Sequence, residues 1–206
     1  MDLITTISTV AGPMLTLNIA ESVMRFGLDK DADKEKNTQC GSIVLLIAMI
    51  IGLVLIPICR CIAEVSGYAM YVYFYVISLS ASQLFLCDLR GKELLLKYSL
   101  GNILQTLMIA ILNITFLLVF KMETGGYLLA YIIANFIVAI YAIIAGKGYK
   151  AFSFHNIDRC KLKEMIRYSV VLIPNTFMWW IMNSSDRVMV TYMILSLIHI
   201  SEPTRH

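Results

Sequence analysis

The stretch TGGYLLAYIIANFIVAIYAIIAG, residues 124–146, contains no Asp, Glu, Lys or Arg. It is as long as the helix of about 20 residues that crosses the hydrocarbon core of a bilayer. Because a backbone in lipid must satisfy its own hydrogen bonds, the stretch is predicted to be a helix. Five further stretches are equally free of charge, at residues 3–20, 41–58, 68–87, 98–120 and 168–185. The sequence therefore predicts an all-α fold, a polytopic transmembrane bundle with six spans.

The overall composition agrees with a membrane protein. Hydrophobic residues make up 59% of the chain, above the level usual for soluble domains. The net charge of +3 gives no indication of a nucleic-acid partner. The five cysteines lack the second pair that a zinc site needs, and His155 has no carboxylate or histidine cluster around it. We therefore expect no metal, no cofactor and no enzymatic activity.

Basic residues alternate between the loops that join the six spans. The loops after the second and fourth spans hold only Arg60 and Lys121, whereas the loops after the first, third and fifth spans hold 13 cations. The positive-inside rule predicts that these three richer loops lie in the cytoplasm. The 13 cations are Arg25, Lys30, Lys34, Lys36, Arg90, Lys92, Lys97, Lys147, Lys150, Arg159, Lys161, Lys163 and Arg167.

The sequence supports a separate prediction at each end of the chain. In this orientation the first span starts outside the cell, and one more helix upstream would explain its insertion. At the other end, LSLIHISEPTR, residues 195–205, resembles the in-frame translation of a transposase-type sequencing-library adapter. We therefore expect the native sequence to stop near Ile194 and leave the tail out of the fold.

Polar residues cluster at the cytoplasmic end of the first span. Asn18, Glu21 and Arg25 share one helix face, and Glu21 precedes Arg25 by the four residues that favour a helical ion pair. They form either a surface pair, with Arg25 reaching to lipid headgroups, or a polar wall facing an inner cavity. A second stripe of small and hydroxylated residues predicts close helix packing, and Pro13 predicts a bend. That stripe comprises Thr5, Thr9, Gly12 and Thr16.

The fourth span carries amides on one face. Asn102, Thr106 and Asn113 project within about 40° of one another, and Gln105 is adjacent. Because amides in lipid are costly, this face should point into protein or water. The two open alternatives are hydrogen bonds between helices and the lining of a hydrophilic path.

The sixth span holds a charge pair between apolar runs. If its helix continues to Ile194, Asp186 and Arg187 lie inside the membrane, where an ionisable pair indicates function. On such a helix Asn175, Trp179 and Asp186 share a face.

The alternative for this span is a helix that ends at Asn183. The charge pair would then lie at the outer interface, and Trp179 with Trp180 would belong to an aromatic belt. Pro174 predicts a kink in either case. The preceding basic linker, residues 147–167, is either an amphipathic helix along the cytoplasmic interface or an ordinary loop.

Three segments resemble polysaccharide flippases of the Wzx type, within the larger MATE-like superfamily. They are LTLNIAESVMRF at residues 15–26, TGGYLLAYIIAN at 124–135 and KEMIRYSVVLIPNTFMWWIMNSSDRVMVTYM at 163–193. The resemblance extends over nearly all of residues 2–194, and the last segment is its most specific part. One departure is Val171, near which the family often has a proline.

The resemblance implies a two-lobed transporter of twelve or more helices, of which this chain would hold helices two to seven. Residues 1–146 would form the N-terminal lobe with five spans and without the first family helix. Residues 147–167 would be the cytoplasmic linker, residues 168–194 the first helix of the second lobe, and residues 195–206 the adapter-derived tail.

The resemblance also implies the function. The protein would move undecaprenyl-pyrophosphate-linked oligosaccharide across the cytoplasmic membrane for O-antigen, capsule or exopolysaccharide synthesis. Its partners would be this lipid-linked oligosaccharide, membrane lipids and other membrane proteins of polysaccharide assembly. Arg25 and Arg187 match positions where the family carries Arg near the cavity, and Arg holds phosphate in a bidentate way. The expected substrate-cavity residues are Asn18, Glu21, Arg25, Asn113, Asn175, Trp179, Asp186 and Arg187.

Two other functions stay open. The first is a cation-coupled small-molecule exporter of the same superfamily. The second is a membrane-embedded polysaccharide polymerase or acyltransferase, although the chain shows neither the large outer loop nor the His/Asp cluster that such enzymes usually need.

Overall fold

A computed structural model describes residues 11–29, 33–60, 69–121, 124–149 and 158–201. The regular structure in these ranges is helical, which confirms the predicted all-α class. Residues 11–15 are helical, and the helix to which they belong is called α1. The other helices are α2 (Ile19–Gly27), α3 (Lys34–Arg60), α4 (Ala69–Gly91), α5 (Leu95–Ile114), α6 (Thr124–Ala145) and α7 (Arg159–Ser201), and α5 continues into a π-helical turn at Thr115–Val119.

Four helices are long and apolar enough to cross a membrane. They span Lys34–Val54, Ala69–Gly91, Leu95–Val119 and Gly125–Ala145, and they correspond to the second to fifth predicted stretches. The chain is thus a multi-pass membrane protein by the length and composition of its helices. The first predicted stretch lies largely outside the described residues, and α7, which holds the sixth, is not among the four.

The first predicted span is not one continuous helix. Leu17 and Asn18 have φ angles of 51° and 54°, so the chain turns left-handed between α1 and α2. The Asn18 backbone N–H donates to the Pro13 carbonyl across this turn. Asn18 is therefore the N-cap of α2 and does not lie inside the same helix as Arg25. The prediction that Asn18, Glu21 and Arg25 share one helix face is wrong for Asn18.

The predicted close packing of the small-residue stripe is confirmed at its described members. A Cβ at Gly12 would lie 3.1 Å from the Ser80 hydroxyl of α4, so no larger residue fits without a shift. Thr16 is buried and donates its hydroxyl to the Gly12 carbonyl. Thr5 and Thr9 lie outside the described residues.

The bundle is built around α4, which packs against α2, α3, α5 and α6. The core between these helices includes the fully buried Ile19, Leu89 and Val138. In contrast, α5 lies on the outside, where Leu96 is 83% exposed and Gly101 is the buried residue of the helix. Its outward leucines and isoleucines form the kind of surface that lipid covers.

Contacts between helix ends bring the three basic loops to one end of the bundle. Thr38 at the start of α3 bonds Asp88 near the end of α4. Lys92 bonds the Gly146 carbonyl after α6, and Ser22 of α2 bonds the Met165 carbonyl near the start of α7. This end, where these six residues lie, is called the basic end below. The described helix ends that flank the loops after the first, third and fifth spans thus lie together.

Helix α7 differs from the predicted division of the chain. It begins at Arg159, inside the predicted linker, and runs without interruption to Ser201 with Pro174 in its interior. Its first turns pack on the bundle through Met165 and Ser169, both fully buried. They therefore form part of α7 instead of a separate interfacial helix or a loop. The alternative in which the helix ends at Asn183 is wrong.

Candidate functional site

The contact between α2 and α7 joins several of the polar residues singled out in the sequence. The Asn18 side-chain amide donates to the Thr176 hydroxyl over 3.1 Å. One turn further, the buried Ser22 hydroxyl donates to the Met165 carbonyl, also over 3.1 Å. At the basic end Phe26 meets Tyr168 edge to face, with ring centroids 5.8 Å apart. Two hydrogen bonds and an aromatic contact thus hold α2 against α7.

Exposed polar and aromatic side chains border this contact. On α7, Asn175 precedes Thr176 and is exposed, and Trp179 one turn later is 58% exposed. On α2, Glu21 and Arg25 are exposed. Polar side chains on a membrane protein face water, protein or a polar ligand, because hydrocarbon offers them no hydrogen bonds. The α2–α7 contact is therefore the described place best suited to a polar ligand.

Arg25 has a different partner from the one predicted. Its guanidinium lies 2.8 Å from the Asp29 carboxylate, one turn further along the chain, instead of pairing with Glu21. This hydrogen bond raises the pKa of Arg25 above its usual value, so the side chain stays cationic. Both side chains of the pair are about half exposed. Because exposed ion pairs are weak, Arg25 can exchange Asp29 for another anion.

The remaining predicted cavity residues are distributed over other places. Asp186 and Arg187 lie on the continuous backbone of α7, and their side chains are outside the described part of the structure. Asn113 lies on α5, which packs against α4 and α6, and its side-chain oxygen is buried without a hydrogen-bond partner. The structure therefore brings Asn18 to α7 and places Asn113 between a different set of helices.

The interhelical hydrogen bond of α5 is made by Gln105, which lies next to the predicted amide face. Asn102 and Thr106 bond carbonyls of their own helix. Gln105 instead donates to the Asn135 side-chain oxygen of α6 over 2.7 Å, and the Ser82 hydroxyl of α4 lies 3.5 Å from the same oxygen. A small polar cluster thus joins α4, α5 and α6, which supports the interhelical alternative for this span.

Sequence reasoning missed a buried ion pair at the basic end. Asp88 is 3% exposed, and its carboxylate lies 2.6 Å from the Lys92 ammonium. The carboxylate also accepts the Thr38 hydroxyl, and Lys92 donates to the Gly146 carbonyl over 3.0 Å. One available signal was the spacing, because an acid four residues before a lysine favours a helical pair. The sequence stretch, however, ended at Cys87, and both charges were assigned to the loop.

An apolar cavity of about 360 Å³ opens between α1, α3 and α4. Ala48, Gly52 and Ile77 are among its lining residues, and none of the described residues that line it is charged. The Tyr73 hydroxyl in its wall is already used, because it donates to the Met49 carbonyl. The cavity thus suits hydrocarbon and offers an anionic group no counter-charge.

Metal chemistry receives no support from the described side chains. Across the described ranges, no three His, Cys, Asp or Glu side chains come together as they would around an ion.

Comparison of the chain with protein-family models, with curated proteins and with solved structures finds no match.

Proposed function

We propose that the protein belongs to a transporter that moves a polyprenyl-pyrophosphate-linked oligosaccharide across the cytoplasmic membrane, with its basic end in the cytoplasm. One observation carries the proposal. The Asn18–Thr176 hydrogen bond joins two helices that present Arg25, Asn175 and Trp179 as exposed side chains nearby, together with the acidic Glu21. A headgroup of phosphates and sugars offers hydrogen-bonding groups to polar side chains, which hydrocarbon does not.

The chemistry of the α2–α7 contact fits the two parts of such a headgroup. Arg25 is held only by an exposed pair with Asp29, and a guanidinium binds phosphate oxygens in bidentate fashion. The Asn175 amide can donate to and accept from sugar hydroxyls. Trp179 presents a large exposed ring on which the apolar face of a sugar can pack. The apolar cavity, which has no charge, is the less suitable place for this headgroup.

The energies of the contacts suggest where the transporter would open. The α2–α7 contact rests on neutral hydrogen bonds, each worth about 1 kcal/mol net. Moving α3 or α6 away from α4 would cost more, because it would take the Thr38 hydroxyl from the buried Asp88 carboxylate or the Gly146 carbonyl from the Lys92 ammonium, and hydrogen bonds to charged groups are worth about 1.5–3 kcal/mol each. We therefore assign α2 and α7 to the two parts that separate during transport, and α3, α4 and α6 to one rigid part.

Tryptophan fluorescence tests the proposal. The chain has two tryptophans, Trp179 and Trp180, and both lie on α7. Adding undecaprenyl pyrophosphate to the purified protein in detergent should change their emission in a saturable way. Arg25→Gln should weaken the binding about tenfold through loss of a charge-assisted contact. Arg90→Gln, which removes an exposed cation from α4, serves as the matched control and should leave the affinity unchanged.

Two results would overturn the proposal. One is an emission that does not respond to undecaprenyl pyrophosphate at any concentration. The other is a saturable response to an organic cation and none to the pyrophosphate, which would identify a small-molecule exporter instead.

A further inference from the structure

The first turns of α7 carry three cations on one side of the helix. Arg159, Lys163 and Arg167 recur at every fourth residue, and all three are exposed. On an α-helix this spacing separates successive side chains by about 6 Å along the axis and about 40° around it. The three cations are called the α7 basic stripe below. They form a continuous charged ridge about 12 Å long.

The buried side chains of the same turns show the direction of the stripe. Met165, which is fully buried, lies on the far side of the helix from Lys163, and Leu162 and Ile166 pack against the core at the flank of the stripe. Because Met165 holds the helix to the bundle while the three cations are exposed, the basic stripe is directed away from the bundle. Its outward orientation is therefore a consequence of packing.

The stripe is not neutralised within the described part of the chain. The ion pairs there use Arg25, Lys36 and Lys92, and none of them involves the stripe. The nearest carboxylate in sequence, Asp158, accepts the backbone N–H groups of Cys160 and Lys161 and caps the helix. Glu164 is exposed beside the stripe, so the segment keeps a net positive charge.

The position of the stripe indicates the partner. Immediately after Arg167, α7 enters the charge-free residues 168–185, so the cations lie where a helix passes from hydrocarbon to water. Tyr168, 37% exposed, follows directly, and aromatic rings of this kind are typical of that interface. The anions present at this depth are the phosphates of lipid headgroups.

We propose that the α7 basic stripe binds the phosphodiester headgroups of anionic phospholipids in the leaflet at the basic end. Arg159 and Arg167 contact phosphate oxygens through their guanidinium groups, and Lys163 supplies a point charge between them. The bound headgroups hold the start of α7 at the membrane surface. This inference depends on the membrane location of the chain and not on the proposed transport function.

Native mass spectrometry of the full 206-residue chain in detergent tests the proposal. Phosphatidylglycerol should bind more tightly than phosphatidylcholine. A cation near a membrane surface contributes a factor of about five, so Lys163→Gln with Arg167→Gln should lower the phosphatidylglycerol affinity about 25-fold. The control pair Arg90→Gln with Lys147→Gln removes two exposed cations of the basic end outside α7 and should leave that affinity near the wild-type value.

A charge-preserving pair, Lys163→Arg with Arg167→Lys, checks that the mutated segment still folds, and it should retain most of the affinity. Three results would overturn the proposal. They are equal binding of the two lipids, equal losses in the stripe and control pairs, and full competition by millimolar inorganic phosphate. The second result would indicate that the lipid is attracted by the total charge of the basic end and not by the stripe. The third would indicate a site for soluble anions.

Discussion

The Lys92 ammonium lies 2.6 Å from the Asp88 carboxylate and 3.0 Å from the Gly146 carbonyl. One side chain thus neutralises a buried acid of α4 and also satisfies a carbonyl at the C-terminal end of α6. The side chains of the pair are only 13% and 5% exposed. The carboxylate further accepts the Thr38 hydroxyl from α3. Three helices are therefore joined at the basic end by groups that lie largely out of reach of water.

Breaking this pair should destabilise the bundle strongly. Asp88→Asn leaves the Lys92 ammonium buried without its counter-charge, and we expect a loss of about 3–5 kcal/mol in the free energy of unfolding. The double variant Asp88→Leu with Lys92→Met should lose less, because no lone charge remains. Denaturant titration in detergent micelles measures both.

Asp29→Asn is the matched control for Asp88→Asn, because it breaks the exposed pair with Arg25 and should cost at most about 1 kcal/mol. Equal losses in Asp88→Asn and Asp29→Asn would show that the buried pair contributes no more to the free energy of unfolding than the exposed pair does.

The crossing of α2 and α4 should not tolerate a methyl group at Gly27. A Cβ there would lie 2.9 Å from the Gly91 Cα, and backbone cannot move aside as a flexible side chain can. We expect Gly27→Ala to cost about 1–3 kcal/mol through overpacking. Gly125→Ala is the control, because nothing lies within 4 Å of its Cβ position and alanine favours the helix. The prediction is wrong if thermal unfolding temperatures fall equally in both variants.

The bond between Gln105 and Asn135 should contribute measurably to the packing of α5 on α6. Gln105→Leu removes the 2.7 Å donor to the Asn135 oxygen, and we expect a loss of about 0.6–2 kcal/mol. Thr106→Val is the control, since its hydroxyl is exposed and bonds only the Asn102 carbonyl of its own helix. Equal stabilities of the two variants in reversible unfolding would argue against a role for the interhelical bond.

The start of α3 should show a small acid-dependent loss of stability. The hydrogen bond from the Lys36 side chain lowers the pKa of Asp33 below its usual value of 3.8. A group with a lowered pKa in the folded state contributes stability above its unfolded pKa and loses it as pH falls through the folded value. Asp33→Asn should therefore be slightly less stable than wild type at pH 7. The two should converge below about pH 4, and a constant difference from pH 7 to pH 3 in unfolding experiments would contradict this assignment.

Helix periodicity accounts for how much of the candidate site the sequence could predict. The spacing of Asn102, Thr106 and Asn113 places them correctly on one face, but it cannot say which helix that face meets. In the folded bundle the adjacent Gln105 reaches Asn135, while Asn102 and Thr106 bond their own backbone. Likewise, helical spacing puts one carboxylate a turn before Arg25 and another a turn after it, and it cannot say that Arg25 pairs with Asp29 and not with Glu21.

By itself, the sequence determined that the chain is helical and where four of its membrane helices lie, because hydrocarbon forces each charge-free stretch to satisfy its own backbone. The alternation of cations predicted which loops lie together. Only the tertiary structure decided which polar groups are buried and with whom they pair. Asp88 and Lys92 looked like loop charges until α3 and α6 enclosed them. The physical reason is that lipid acts on each helix separately, whereas a buried partner exists only after several helices have packed.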